Sequence, residues 1–140
     1  MVRARVAGVL VLILGVLTLG TGTYFLFLRP PLLPEDLRFT GVDPKLLDPR
    51  MITWLGIVFR TWGGFMAGFG ILLGAVGANL LTARERVLRW GATAAVLVAF
   101  GRFLFSNLIL HSDHLPFIFA MFAIAVVAAT QLIRRGGGGG

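Results

Sequence analysis

The chain contains no cysteine. That excludes disulfides, thiolate zinc sites, iron–sulfur clusters and c-type haem attachment. Charge is also sparse: 14% of residues are charged, against roughly 25% in an average soluble chain. Lysine is almost missing, with one against twelve arginines, a usage we read as that of a GC-rich, bacterial genome. Only six residues are acidic, and none lies within a long apolar stretch. This argues against proton-coupled transport through an intramembrane carboxylate. There is no Ser/His/Asp grouping, P-loop or dinucleotide fingerprint. The sequence therefore predicts no catalytic residue and no cofactor.

What the chain does have is oil. It is 140 residues long, 57% apolar and 11% aromatic, with 19 glycines and a mean hydropathy of +0.89. A soluble domain of this size could not hide that much apolar surface. Soluble enzymes, disordered chains and disulfide scaffolds are thereby excluded. The net charge of +7 could suggest nucleic acid. The charges, however, are scattered at the edges of apolar segments, where they set membrane orientation, so no nucleic-acid partner is expected.

Four apolar stretches stand out, at about 6–28, 51–81, 90–110 and 115–133. About 20 residues suffice for a helix to cross a bilayer core of about 30 Å. Open sheet edges cannot sit in lipid, and no ten-residue alternating segments are present. The prediction is an all-α, polytopic four-helix bundle with antiparallel up-down topology. It forms a single membrane domain over 1–135, with a flexible glycine tail at 136–140. The opening "MVRAR" followed by an apolar run also fits a signal peptide, with "GTGT" at Gly20–Thr23 offering small residues for cleavage. The run continues through Tyr24, Phe25 and Phe27, which favours an uncleaved span. Arg3, Arg5, Arg84, Arg86, Arg89, Arg134 and Arg135 fall on one side, against Arg29, Arg38, Lys45 and Arg50 on the other. Both termini are therefore expected in the cytoplasm, in a bacterial inner membrane. Tyr24, Trp54, Phe117 and Trp90 suit the aromatic belts at the two interfaces.

The outer loop, 29–50, holds five of the six prolines. Pro34 followed by Glu35 and Asp36, and Asp43 followed by Pro44, read as starts of short helical turns. Asp48-Pro49 repeats the signal before the second span. Leu32, Leu33, Leu37, Phe39, Leu46 and Leu47 should dip toward lipid or the bundle.

Small residues recur along the second span. Gly56, Arg60, Gly63, Ala67, Gly70, Gly74 and Gly77 share a face by their steps of three and four. Gly64 and Gly68 form a further close-approach pair, as do Gly70 and Gly74. The third span carries Gly91, Ala95, Ala99, Arg102 and Ser106 on one face. The first has Gly8, Gly15 and Gly22, one heptad apart. Tight packing of the bundle is the plain reading; a glycine-lined path or cofactor groove is the functional one.

Arg60 and Arg102 lie inside spans, where a charge costs about 2.5–3.5 kcal/mol on insertion scales. Taking the second and third spans as neighbours, the two sit at similar depth in the outer half. Three fates follow. Carboxylates from Glu35, Asp36, Asp43, Asp48 or Asp113 could fold down and pair with them, pinning the loop as a lid. The arginines could snorkel to headgroups. Or, with Ser106 and Asn107, they could hold an anionic ligand. Ser106, Asn107 and Asn79 are also residues of the kind that bond between helices. "HSDH" at His111–His114 has imidazole and carboxylate ligands, but these are the only histidines. A polar turn, with Asp113 capping the fourth span, is the simpler reading, and no metal is expected.

The run from "LLPEDLRFTG" through "WLGIVFRTWGGFMAGFGILL" resembles uncharacterised small bacterial membrane proteins, domain-of-unknown-function families with four spans. The matching positions are Pro34, Asp36, Arg38, Gly41, Arg60, Gly63, Gly64 and Gly68, within about residues 30–110. The resemblance implies a fold and no activity. Fluoride-channel proteins share the size, charge and glycine content, but their Gly-Gly…Arg pattern is not in the first span. The leading expectation is a non-enzymatic structural or accessory subunit, in the bilayer as a homo-oligomer or within a larger complex. The alternatives are a small oligomeric anion transporter or channel, and a lipid- or quinone-binding membrane enzyme.

Overall fold

The structure is a computed structural model that describes residues 2–82 and 85–134. The glycine tail, Arg84 and Arg135 lie outside these residues. The described residues form five α-helices: α1 (Val2–Phe27), α2 (Pro34–Thr40), α3 (Pro49–Thr82), α4 (Arg86–Ile109) and α5 (Leu115–Arg134). Among the described residues there is no strand. Four helices, all but α2, are long and apolar enough to cross a membrane. In lipid each backbone polar group must be satisfied within its own segment, which selects helix for these runs.

Local chemistry ends and starts the helices where the sequence suggests. At the end of α1, the N–H groups of Leu28 and Arg29 both donate to Tyr24 O, at 2.9 and 2.8 Å. Pro30 and Pro31 then lack the donors to continue. α2 begins on Pro34, with Asp36 Oδ2 accepting from Leu33 N at 2.8 Å. It stops at Gly41, whose φ of +66° suits a residue without a side chain. A 3-10 turn follows at Pro44–Leu46, where Asp43 Oδ1 accepts from Lys45 N at 2.9 Å. Asp48 Oδ1 accepts from Arg50 N at 2.8 Å and opens α3. Leu32, Leu33, Leu37 and Leu47 of this loop are half-buried, whereas Phe39 and Leu46 are exposed.

α1 and α3 meet backbone to backbone. A Cβ added to Gly15 would lie 2.6 Å from Gly74 N, and one on Gly70 would lie 2.5 Å from Leu19 N. Gly63 and Gly77 are equally close to Leu26 N and Leu12 N, at 2.7 and 2.5 Å, and Gly22 abuts Ala67. The glycines of α1, seven apart, therefore interleave with Gly63, Gly70 and Gly77 of α3, also seven apart. The two helices run antiparallel in one fixed register.

The other contacts run from α1 to α5 and from α5 to α4. α3 and α4 touch only slightly, although they are consecutive in the chain. The expectation that the second and third spans are close neighbours is thus corrected: α1 and α5 lie between them. The shared apolar core is formed by Ala7, Val11 and Leu14 of α1, Leu73 and Leu80 of α3, Ala92, Val96 and Phe100 of α4, and Met121 to Leu132 of α5. This cluster is weighted toward the termini, and Leu104 of α4 and Ile118 of α5 are buried nearer the loop end. The opposite, loop half holds α2 and the α4–α5 turn.

Helix α3 has 34 residues, or about 51 Å at 1.5 Å per residue. The glycine register sets Phe27, the last residue of α1, level with Arg60. The first eleven residues of α3 therefore extend beyond α1 and flank the loop, with Gly56 beside Pro31.

Candidate functional site

Three polar contacts gather at the loop end, all made by α2. Arg29 Nη2 donates to Asp36 Oδ2 at 2.7 Å, with side chains only 4% and 15% exposed. The same guanidinium lies 3.5 Å from the ring centre of Phe59 on α3 and 5.3 Å from that of Phe25 on α1. It also donates to Pro30 O and Pro31 O, at 2.9 and 3.3 Å. Its buried Nε has no hydrogen-bond partner. The flat cation fits between aromatic faces because its quadrupole attraction to the rings needs no directed hydrogen bond.

The second contact joins α2 to the α4–α5 turn. Glu35 is 5% exposed, and its Oε1 accepts from Ser112 Oγ at 2.9 Å. The third is beside it, where Arg38 Nη2 donates to Asp113 Oδ1 at 2.7 Å, with both side chains more than half exposed. The turn itself places His111 at φ +49°. Within it, Ser112 Oγ rather than the Asp113 carboxylate accepts a backbone N–H, from His114 at 3.2 Å. Asp113 is drawn off by Arg38, which corrects the expectation that it caps the last span.

The sequence-predicted charge cluster does not assemble. Arg60 is exposed and sits level with the end of α1. Arg102 is exposed on α4, with its guanidinium 5.5 Å from the Phe105 ring. Neither forms an ion pair with a described carboxylate. The physical reason is twofold: α3 and α4 are not close neighbours, and the overhang of α3 lifts Arg60 toward the loop. Asp43 and Asp48 are spent on backbone N–H groups. Ser106 and Asn107 bond back to their own helix, at Arg102 O and Phe103 O, 3.0 and 2.9 Å away. Asn79 makes no side-chain bond between helices and is exposed. The carboxylates that form ion pairs among the described residues, Asp36 and Asp113, take Arg29 and Arg38 instead of Arg60 and Arg102.

The predicted packing glycines divide. Gly63 and Gly70 lie in the α1–α3 contact, and Gly74 presents its backbone to Gly15. Gly56 meets Pro31 in ordinary contact at 3.7 Å. Nothing lies within 4 Å of a Cβ placed on Gly64, Gly68 or Gly91. Gly64 and Gly68 instead floor a shallow groove on the outer face of α3, walled by Thr61, Phe65, Phe69 and Leu72.

Chemically, the loop end is a fastening. Ser112 is 4% exposed and its hydroxyl is committed to Glu35, so it is not presented as a nucleophile. His111 and His114 are exposed. Among the described residues no group of three His, Cys, Asp or Glu is placed to hold a metal ion. Sequence reasoning treated Arg29 only as an orientation charge and did not pair Glu35 with Ser112. The clue for Arg29 was its place between a helix end and two prolines, seven residues before Asp36. No protein-family model, curated protein or solved structure matches the chain.

Proposed function

We propose that the protein is a non-enzymatic structural or accessory subunit of a bacterial inner membrane, with both termini in the cytoplasm. One observation carries this reading: α3 has a second glycine face, Gly64 and Gly68, that no other described residue approaches within 4 Å of an added Cβ. Glycine costs roughly 0.5–1 kcal/mol relative to alanine within a helix. Inside a membrane, small residues at this spacing favour close approach of another helix. The α1–α3 contact has the same chemistry, already occupied. The open face then accepts a helix of a second copy or of a larger complex. The anion-path alternative is less favoured, because Arg60 and Arg102 stand on exposed faces of helices that scarcely meet.

The test is extraction from native membranes in polymer-bounded lipid discs, followed by native mass spectrometry. The wild-type chain should run as an assembly, and Gly68→Leu should release it as a folded monomer. A wild-type chain that is monomeric and alone in such discs would overturn the reading, and anion flux lost on Arg60→Ala would replace it with the transporter.

A further inference from the structure

Bonding between one side chain and another is concentrated in one place among the described residues. Among the described residues, the only hydrogen bonds from side chain to side chain are the three of α2: Arg29–Asp36, Arg38–Asp113 and Glu35–Ser112. No such bond links two of the long helices. The apolar core is equally one-sided. Its contiguous cluster reaches Leu14 of α1, Leu73 of α3, Phe100 of α4 and Met121 of α5, with Leu17 and Phe69 packed at its margin; nearer the loop end, Leu104 of α4 and Ile118 of α5 are also buried, both on the same helix pair. Beyond that margin, α1 and α3 stay joined by Gly22, Gly63 and Ala67, and α4 and α5 by their tight turn.

We propose that α2 is a releasable strap across a two-jawed bundle. One jaw is the loop half of α1 and α3; the other is the loop half of α4 and α5. The terminal-half core is the hinge. α2 is fixed to the first jaw through Arg29, which is clamped by Asp36 and Phe59. It holds the second jaw through Ser112 and Asp113, residues 77 and 75 positions away in the chain. The two attachments differ in strength. The Arg29 end is desolvated and stacked. The α4–α5 end rests on one buried hydrogen bond, Glu35–Ser112, and on the Arg38–Asp113 pair, which is open to solvent, where ion pairs are weak. The strap therefore lets go on the α4–α5 side first. Such a release parts the jaws along the α3–α4 side, where the helices scarcely touch. This motion is of the hinge type, a few residues absorbing the change while packed units move whole.

The natural lack of cysteine makes the test direct. Spin labels on Ile57 and Leu108, both exposed, report the jaws. Labels on Ala78 and Ala94, both exposed in the terminal half, report the hinge. In lipid nanodiscs, the double variant Arg38→Ala/Ser112→Ala should move the jaw distance outward by several ångströms and leave the hinge distance in place. Exchanging the charges, Arg38→Asp with Asp113→Arg, should restore the short jaw distance. Should the double variant not fold, Asp113→Arg alone answers the same question, because it sets two exposed arginines against each other and must widen the jaws. An unchanged jaw distance, or equal changes at jaws and hinge, would overturn the strap.

Discussion

Arg29 is buried at a helix end, where its Nη atoms donate to a carboxylate and two carbonyls and its plane lies by two aromatic rings. Removing one member of a buried pair costs about 3–5 kcal/mol, because the other charge is left uncompensated. Arg29→Ala should therefore lower the thermal unfolding temperature in detergent markedly. Arg29→Lys should rescue it only in part, because an ammonium has no planar face to lay on Phe59. Glycines give a sharper contrast. Gly70→Ala forces a methyl into the backbone of Leu19, and such overpacking costs about 1–3 kcal/mol. Gly68→Ala meets nothing in the chain and should leave monomer stability unchanged or slightly raised, a difference that thermal unfolding of the two variants reads directly. From sequence, Gly68 and Gly70 looked alike, because spacing places a residue on a face but does not say which face another helix takes.

At the scale of elements, the legible features were the local ones. Pro34 with two acids, Asp43-Pro44 and Asp48-Pro49 mark starts whose bonds close within a few residues. The partners of α2 were not legible: Ser112 and Asp113 come to it only after the chain has run through α3 and α4. The α4–α5 turn carries its own prediction. His111 holds a left-handed backbone, which costs a residue with a side chain roughly 1–2 kcal/mol. His111→Gly should therefore raise the unfolding temperature, and His111→Val should lower it. A metal role for His111 would instead show as lost zinc-induced stabilisation in the glycine variant.

For the whole molecule, apolar length was enough to find the four membrane-length helices within a few residues at either end, but not to order them. α1 is apolar on every side, so periodicity gave no hint that it would lie between α3 and α5. That hidden neighbour relation is why the two intramembrane arginines, similar in depth by counting, do not face one another. Orientation is a separate question, for which the arginine distribution predicts cytoplasmic termini. A fluorescent reporter fused after residue 135 should glow and a periplasmic phosphatase fused there should be inactive; the reverse pattern would place the termini outside.

The overhang of α3 has a bearing on the kind of membrane the protein suits. Its 34 residues stand beside helices of 26, 24 and 20, so the molecule has no single hydrophobic height. A short-tailed lipid matches α5 and forces α3 to tilt or protrude; a long-tailed lipid matches α3 and must thin around α5. Seated in a bilayer, the bundle acts as a wedge of uneven stature, and the lipids around it must bend to both measures.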